Sequence, residues 1–232
     1  MNIYVIRHGE SEANVESFNE IKEDSLIELT QKGLNEAYDA GKFLKTQINK
    51  NDYDESVIIT STYIRAMQTT GEIKKSLNFK TTSDARLVEF NRGLFKKCRF
   101  KERHLKYPKE FKEFNDMQHS PAKFFAKPPE GENGYDVYKR VTPVVFELRE
   151  LYKKGIKNVI IVTHHDTMKS LTMAIMGYDK DWFYREKSVQ NCSIRKFELT
   201  NDKFYDKGFI YRGYHNNKEP KKQNNDDKNL GR

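Results

Sequence analysis

Two residues with reactive side chains, Arg7 and His8, directly follow an unbroken apolar run, Ile3–Ile6, near the start of the chain. Such a run is typical of a strand that is buried on both faces in a parallel sheet. Ligands of open α/β sheets bind outside the carboxyl ends of the strands, which is where this arginine and this histidine fall. A fixed cation beside a titratable nucleophile predicts a reactive site for a phosphate group.

Two further apolar runs, Val57–Ile59 and Val159–Val162, are followed by side chains of the same kind. These side chains are Ser61 and Arg65 after the first run, and His164, His165 and Asp166 after the second. If the three strands are parallel neighbours, two arginines and two or three histidines meet at one end of the sheet. The sequence therefore predicts one crevice rather than three separate polar sites.

The groups in this crevice suit the cleavage of a phosphate ester. Arg7 and Arg65 can each make bidentate contacts with a phosphoryl dianion. Gly9 leaves room for backbone amides to approach the phosphate, and Asn14 can donate one more hydrogen bond. One histidine, kept neutral by the positive cluster, can act as the nucleophile. The second histidine, if cationic, would stabilise the transferring oxygens, and a carboxylic acid is needed to protonate the leaving group.

Composition sets wider limits on the 232-residue chain, which is 36% hydrophobic and 33% charged. The sequence contains no apolar stretch of about 18 residues, so no membrane span is predicted. The start of the chain has no signal-peptide pattern. Two cysteines, Cys98 and Cys192, are expected to be free thiols in a reducing compartment, so we expect a cytoplasmic protein. The net charge of +8 favours anionic partners without choosing among metabolites, nucleic acids and membrane surfaces.

Helical patterns follow the first two strands and precede the third. Thr30 is the predicted N-cap of a helix whose apolar stripe is Leu34, Ala37, Gly41, Leu44 and Ile48. The helix after the second strand is expected to bury Ala66, Met67, Thr70, Ile73 and Leu77. Tyr135 to Lys154 is the clearest helical pattern, in which Pro143 should cause a kink or an early break. Two strand–helix units in succession predict a doubly wound or related α/β fold.

The remaining segments complete the expected architecture. Residues 85–89 are interpreted as a further strand edge, and residues 192–199 and 204–211 as a hairpin that turns at Asn201-Asp202. Residues 92–129, rich in basic and aromatic side chains, predict a helical insertion over one edge of the sheet. We expect one domain over residues 1–211 and a disordered polar tail over residues 212–232.

Five motifs, in order along the chain, together resemble those of the histidine phosphatase superfamily, the phosphoglycerate-mutase-like enzymes. They are Val5-Ile-Arg-His-Gly-Glu-Ser-Glu-Ala-Asn14, Leu29-Thr-Gln-Lys-Gly33, Ser61-Thr-Tyr-Ile-Arg-Ala-Met-Gln-Thr69, Leu87-Val-Glu-Phe-Asn-Arg-Gly93 and Val162-Thr-His164. The resemblance covers residues 1 to about 200 and is strongest for the broad phosphatase branch. One departure is His165, which stands where the family usually has glycine.

The resemblance implies a fold, a mechanism and a set of site residues. The fold would be a three-layer α/β/α sandwich with a mostly parallel central sheet and the insertion as a lid. His8 would be the phosphorylated nucleophile and Glu89 the general acid and base, while Arg7, Asn14, Arg65 and His164 would form the phosphate pocket. No metal and no other cofactor are implied. His165 and Asp166 have two interpretations. Either Asp166 caps the following helix and His165 lies beside the site without touching the substrate, or both contact the substrate directly.

The function expected from these residues is that of a metal-independent phosphomonoesterase acting on a small phosphorylated metabolite through a phosphohistidine. The main alternative is a phosphoglycerate mutase or a related phosphoryl-transfer mutase. Metal-dependent hydrolysis at His8, His164, His165 and Asp166 is a third hypothesis, although two arginines would repel a divalent cation. A non-enzymatic protein that binds phosphorylated ligands is a fourth. No membrane or specific nucleic-acid partner is expected, and a homodimer is left open.

Overall fold

The computed structural model describes residues 1–15, 22–98, 102–186 and 188–213. Within those residues one six-stranded sheet has the strand order β3-β2-β4-β1-β5-β6. The strands are β1 (Asn2–Arg7), β2 (Ser56–Thr60), β3 (Lys80–Ser83), β4 (Asn158–Thr163), β5 (Ile194–Thr200) and β6 (Lys203–Tyr211). β1 to β4 run parallel, whereas β5 pairs antiparallel with β1 and β6 antiparallel with β5. The sheet is therefore mostly parallel, as predicted.

Helices cover both faces of this sheet. The α-helices of the described residues are α1 (Gln31–Gln47), α2 (Ile64–Lys74), α3 (Arg103–Lys106), α4 (Pro108–Gln118), α5 (Gly134–Lys153), α6 (His165–Met176) and α7 (Lys180–Arg185). Ile3 and Val5 of β1 pack in one core with α5 and α6, while Tyr4 and Ile6 pack in a second core with α1 and α2. Because alternate residues of β1 face opposite helical layers, the fold is the predicted three-layer α/β/α sandwich.

Strand β4 lies between β1 and β2 and brings the ends of all three strands to one edge. Arg7 pairs with Thr163 and Thr60 pairs with Val162 in the parallel register. Beyond the strands, the His8 amide donates to the Thr163 carbonyl at 2.9 Å, and the Ser61 amide donates to the Val162 carbonyl at 2.9 Å. The prediction that these strands are parallel neighbours is confirmed.

The expected strand edge at residues 85–89 was wrong. Residues Ala85–Leu87 form a 3-10 turn, and the strand is the preceding segment, β3. Asp84 starts the turn, because its Oδ1 accepts from the Arg86 amide at 2.8 Å while its own amide donates to the Thr60 carbonyl at 2.8 Å. The turn then carries the fully buried Leu87 into the core on one face of the sheet.

Some details of the predicted helices differ from the structure. Of the two outcomes expected at Pro143, the early break does not occur and the kink stays a prediction. α5 continues to Lys153, because its packed face, including Val141 and Val144, is buried on both sides of the proline. In α2, Met67 is 51% exposed instead of buried. Leu77 is buried as expected but follows the helix end at Lys74.

Other local predictions are confirmed. The Thr30 hydroxyl accepts from the Gly33 amide at 3.0 Å and caps α1. Asn201 and Asp202 both have positive φ, 51° and 59°, as a two-residue hairpin turn between β5 and β6 requires. In the described part of residues 92–129 the regular elements are α3, α4 and two 3-10 turns. Most of the predicted tail, residues 214–232, lies outside the described residues.

Across the ranges that the structure describes, no helix combines the length and the apolar character that a membrane crossing demands.

Candidate active site

A cavity of about 560 Å³ opens at the carboxyl edge of β1 and β4. Five of the six predicted site residues line it, namely Arg7, His8, Asn14, Arg65 and Glu89. We call it the phosphate cavity. The sixth residue, His164, is completely buried next to the cavity, and its ring centroid lies 5.0 Å from that of His8.

His8 is 4% exposed and its imidazole is held in one tautomer. Its Nδ1 lies 2.7 Å from the carbonyl oxygen of Gly9. A carbonyl can only accept, so Nδ1 carries the hydrogen of the neutral ring and Nε2 keeps its lone pair. Nε2 lies 3.3 Å from the Nε of Arg65, which donates to it. The lone pair of Nε2 is therefore directed at the guanidinium that was predicted to hold the phosphate.

The pKa of His8 is lowered well below its usual value of 6.5. Burial is the largest cause, and the positive charges of Arg65 and Arg7 lower the pKa further. The arginines act in the predicted direction, although desolvation contributes more than they do. The imidazole is consequently neutral and nucleophilic near neutral pH.

Gly9 has a different role from the expected one. Its amide donates to Thr69 Oγ1 at 3.1 Å. A Cβ atom at Gly9 would collide with the carbonyl group of Gly33, and a Cβ at Gly33 would collide with that of Glu10. The two glycines therefore permit the close approach of the first turn of α1 to the loop after β1. The space at Gly9 serves backbone packing instead of the approach of amides to a phosphate.

Arg65 is buried and Arg7 is half-buried, and each is fixed by a carbonyl oxygen. Arg7 donates from Nη1 to the Val189 carbonyl at 2.6 Å, and burial lowers the pKa of its guanidinium. Arg65, 4% exposed, donates from Nη1 to the Asp24 carbonyl at 2.5 Å and lies 3.0 Å from the Asp24 carboxylate. Both guanidinium groups line the phosphate cavity. Asp24 is thus already paired with one of the groups expected to bind phosphate.

His164 follows β4 and is the N-cap residue of α6. Its Nε2 lies 2.8 Å from Ser61 Oγ, and its Nδ1 is buried without a hydrogen-bond partner among the described residues. Burial, then the charges of His8 and Arg65, lower its pKa well below the usual value. The imidazole is therefore neutral in the free protein. The stabilisation of the transferring oxygens by a cationic second histidine, which was expected only if that histidine is protonated, does not apply there.

Glu89 lies at the N-terminus of α6, where backbone amides orient its carboxylate. Oε1 accepts from the Phe90 amide at 2.9 Å and from the Thr167 amide at 3.3 Å. Oε2 accepts from the Asp166 amide at 3.4 Å. The free amides of a helix N-terminus are natural donors to an anion. The carboxylate is therefore held on the wall of the cavity that His8 also lines.

Arg140 of α5 fixes the backbone that carries Glu89. Its Nη2 donates to the Glu89 carbonyl at 3.3 Å, and its Nη1 donates to the Arg86 carbonyl at 2.5 Å. Its Nε lies 2.7 Å from the carboxylate of Glu132. No motif singles out Arg140 in the sequence, because its partners come from two loops up to 54 positions away.

His165 and Asp166 both line the phosphate cavity, and their side chains are bonded to each other, with Nδ1 2.9 Å from Oδ1. Neither caps α6 in place of His164. Burial alone would raise the pKa of Asp166, but the hydrogen bond and charge of His165 and the charge of Arg92 hold it below its usual value. Both side chains thus line the cavity, as the interpretation of direct substrate contacts expects. They are also hydrogen-bonded to each other, with His165 beside Asp166 as the other interpretation expects.

Asn14 is oriented by partners on two loops. Its Oδ1 accepts from the amide and the hydroxyl of Ser11, both at 3.0 Å, and from Asn191 Nδ2 at 3.1 Å. The amide group of Asn14 is then the part of the side chain that can donate to a ligand. Asn191 also donates to the His8 carbonyl at 3.1 Å. Sequence reasoning missed Asn191, since it lies 183 positions from His8 with no motif around it.

The metal hypothesis finds no geometric support in the described ranges. They contain no group of three or more His, Cys, Asp or Glu side chains placed to hold an ion.

Comparisons with known proteins show what the chain is similar to. The chain is 27% identical over 212 residues to the phosphoglycerate mutase-like protein AT74 of Arabidopsis thaliana, and the match covers 85% of this chain and 64% of that protein. It is 25% identical over 186 residues to phosphoserine phosphatase 1 of Hydrogenobacter thermophilus, with 79% and 80% covered. The chain thus spans somewhat less than two thirds of the Arabidopsis protein. Relatives that are phosphatases or mutase-like indicate an enzyme.

Among solved structures, the α-ribazole phosphatase of Shigella flexneri superposes with a TM-score of 0.74 at 20% identity, covering 91% of this chain and 97% of that one. At this identity the likeness concerns the fold alone. The model of the histidine phosphatase superfamily (branch 1) matches residues 3–208. Since this match spans most of the sequence, the chain belongs to the histidine phosphatase superfamily.

Proposed function

We propose that the protein is a phosphomonoesterase that transfers the phosphoryl group of a small metabolite to His8 and then to water. The observation that carries the proposal is the pairing of a neutral His8, whose Nε2 lone pair faces Arg65, with Glu89 on the same cavity. Such a nucleophile divides the reaction into two easier steps. The superfamily match and the phosphatase relative support the same chemistry.

In the first step, Nε2 of His8 attacks phosphorus and the bond from phosphorus to the ester oxygen breaks. Glu89 is the general acid of this step, and its carboxylic acid form gives a proton to the leaving oxygen. In the second step the Glu89 carboxylate takes a proton from water, whose oxygen attacks phosphorus as the bond to nitrogen breaks. Inorganic phosphate leaves and His8 returns to its neutral form.

The remaining site residues would bind the phosphoryl oxygens. Arg65 and Arg7 supply charge, and Asn14 supplies an amide donor. His164, neutral in the free enzyme, would donate a hydrogen bond through a ring nitrogen without bringing a full positive charge. Donors that are fixed before the substrate arrives need no reorganisation as charge develops. The chemistry uses side chains only, so we expect activity to persist in EDTA.

A phosphohistidine trap tests this mechanism directly. The enzyme is mixed with a radiolabelled phosphate ester and quenched in alkali, which preserves phosphohistidine. We expect label on the wild type, none on His8→Ala, and a loss of turnover of at least about a thousandfold in that variant. His119→Ala, which removes an exposed histidine of the insertion, should behave as the wild type. A His8→Ala enzyme with normal turnover would overturn the proposal.

A phosphoryl-transfer mutase is the second candidate, favoured by the resemblance to the phosphoglycerate mutase-like Arabidopsis protein. A mutase returns the phosphoryl group to a different hydroxyl and needs a bisphosphate to prime the histidine. Assays with 2- and 3-phosphoglycerate, with and without bisphosphoglycerate, separate the two activities. Isomerisation that greatly exceeds phosphate release would favour the mutase.

A further inference from the structure

A second cavity, of about 390 Å³, adjoins the phosphate cavity. The two cavities share four lining residues, which are Arg92, Phe95, Arg103 and Asp166. Six aromatic side chains line the second cavity, namely Phe90, Phe95, Phe111, Phe114, Phe183 and Tyr184. We call it the aromatic cavity. Because they share these four residues, the two cavities are direct neighbours.

The aromatic rings come from both sides of the cavity. Phe111 and Phe114 belong to α4, and Phe183 and Tyr184 belong to α7. Phe95 packs against the α4 pair, with its ring centroid 5.9 Å from Phe111 and 5.3 Å from Phe114 in edge-to-face geometry. Phe111, Phe114 and Phe183 are only half-buried, so part of each ring remains available for contact. This arrangement offers ring faces and edges to a flat apolar guest.

The loop between the two cavities is fixed by backbone contacts. Gly93 has φ of 53°, and a Cβ there would collide with the backbone of residues 129–131. The Leu94 amide donates to the Pro129 carbonyl at 2.9 Å, and the Glu132 amide donates to the Asn91 carbonyl at 2.8 Å. These contacts hold the segment that carries Arg92 and Phe95. The backbone that carries these two shared lining residues is thus fixed before a ligand binds.

Glu89 relates the two cavities chemically. It lines the phosphate cavity, whereas the next residue, Phe90, lines the aromatic cavity. Under the proposed function Glu89 protonates the leaving oxygen, so the leaving alcohol emerges beside Phe90. Charged residues of the aromatic cavity are mostly basic, with Lys123 added to the shared arginines. A compact polyol would leave these rings without an apolar contact.

We infer that the aromatic cavity binds the leaving group of the substrate and that this leaving group carries an aromatic ring. The inference rests on the proposed function and narrows its substrate class to phosphate monoesters of aromatic-ring-bearing alcohols. The combined cavities fall within the usual range of small-molecule sites, about 300–1,000 Å³. The phosphate would be held by the arginines, and the ring would pack among the side chains of α4 and α7.

A pair of matched esters tests the inference. 3-Phenylpropyl phosphate and propyl phosphate have primary alkoxide leaving groups of similar basicity and differ by the ring. We expect kcat/KM to be at least about tenfold higher for the phenylpropyl ester, as buried aromatic contacts allow. The corresponding phosphonates, which cannot be hydrolysed, should differ similarly in binding affinity by calorimetry. Equal values for the two members of each pair would overturn the inference.

Two variants locate the ring. Asn115→Trp adds bulk at an exposed position of the cavity lining, and Phe114→Ala removes one of the rings. Both should lower the phenylpropyl-to-propyl ratio towards one. The matched control is Phe146→Ala on α5, because Phe146 is 62% exposed and outside both cavities. A ratio unchanged in both cavity variants would contradict the assigned location.

The outcomes also separate the two proposals. If both esters are hydrolysed equally well through His8, the proposed function stands and the substrate class is wrong. If the phenylpropyl phosphonate binds more tightly but neither ester is hydrolysed, the aromatic cavity stands and the proposed function is wrong.

Discussion

At the level of single residues, the carboxylate of Asp24 competes with the substrate for Arg65. It lies 3.0 Å from Nη1 of that arginine and lines the same cavity. A phosphate must therefore share the guanidinium with an existing anion, and like charges a few ångströms apart repel. Asp24→Asn removes this repulsion and keeps the backbone carbonyl that also accepts from Arg65. We expect inorganic phosphate to inhibit this variant several-fold more strongly, measured as its inhibition constant.

The control for this experiment is Asp54→Asn, which removes one negative charge from an exposed loop outside the cavities. It should leave phosphate inhibition unchanged. If Asp24→Asn weakened phosphate binding instead, the carboxylate would be needed to orient Arg65, and competition would be the wrong description.

The buried histidines make stability depend on pH. The folded pKa of His8 is lowered well below 6.5, mainly by burial, so below that pH the unfolded chain binds a proton that the folded protein does not. The contribution of the neutral imidazole to the free energy of unfolding is then fully present above about pH 6.5. It is lost progressively as the pH decreases towards the folded pKa. Each such histidine contributes a slope of up to about 1.4 kcal/mol per pH unit.

Urea unfolding at about pH 6.5, 6.0 and 5.5 measures this slope. We expect His8→Gln to reduce it by roughly 1 kcal/mol per pH unit, because the variant loses one histidine that is buried in its neutral form. His119→Gln, at an exposed position, should retain the wild-type slope. Identical slopes for the wild type and His8→Gln would contradict the buried neutral imidazole.

The sequence indicated the reactive residues but not how they are connected. Arg7, His8 and Arg65 were found because each follows an apolar strand. Asp24 was not found, since its contact with Arg65 spans 41 positions and it lies in a polar segment without periodicity. Motifs report which groups are present, whereas these contacts depend on how loops return to the sheet.

At the level of elements, the turn at Gly93 couples stability to the shape of the aromatic cavity. In Gly93→Ala the new Cβ meets the Pro129 carbonyl and the positive φ becomes strained. We expect a loss of at least about 1 kcal/mol in the free energy of unfolding, measured with urea. The phenylpropyl-to-propyl ratio of kcat/KM should also fall, because Phe95 is carried by this turn.

Gly71→Ala provides the matched control. Gly71 lies within α2 and has open space around its Cα, so alanine should stabilise the protein by about 0.5–1 kcal/mol. The ester ratio should stay as in the wild type. A Gly93→Ala protein as stable as Gly71→Ala would show that the turn tolerates a side chain.

The main elements of the fold were predictable because their patterns are strong. The runs that became β1, β2 and β4 are short and continuously apolar, and the positive-φ residues of the β5–β6 turn are of the expected types. The failures were local. Packing on both sides of Pro143 outweighed its tendency to end a helix, and a side-chain cap at Asp84 produced a turn where the composition resembled a strand.

At the level of the whole molecule, charge should guide the substrate to the site. The chain carries a net charge of +8, and the basic residues of the phosphate cavity outnumber its acidic ones. The basic residues are Arg7, Lys22, Arg65, Arg92, Lys96 and Arg103, and the acidic ones are Asp24, Glu89 and Asp166. Raising the ionic strength from about 0.01 M to about 0.15 M shortens the screening length from about 30 Å to about 8 Å.

Over this range we expect kcat/KM for a dianionic ester to fall several-fold, while kcat changes little. Steady-state kinetics at a series of salt concentrations measure both constants. A fall confined to kcat would place the salt effect on a later step, contrary to this prediction.

The position of β4 also determines when the active site can form during synthesis. β1 and β2 are not neighbours, and both pair with β4, which is made about 100 residues after β2. A nascent chain that ends before residue 158 already contains His8 and Arg65 but lacks the strand that aligns them. β4 closes the centre of the sheet through contacts between residues that are far apart in the sequence. Contacts of this kind slow folding. The proposed phosphatase activity would therefore begin abruptly on the ribosome, only after β4 has emerged and inserted between its neighbours.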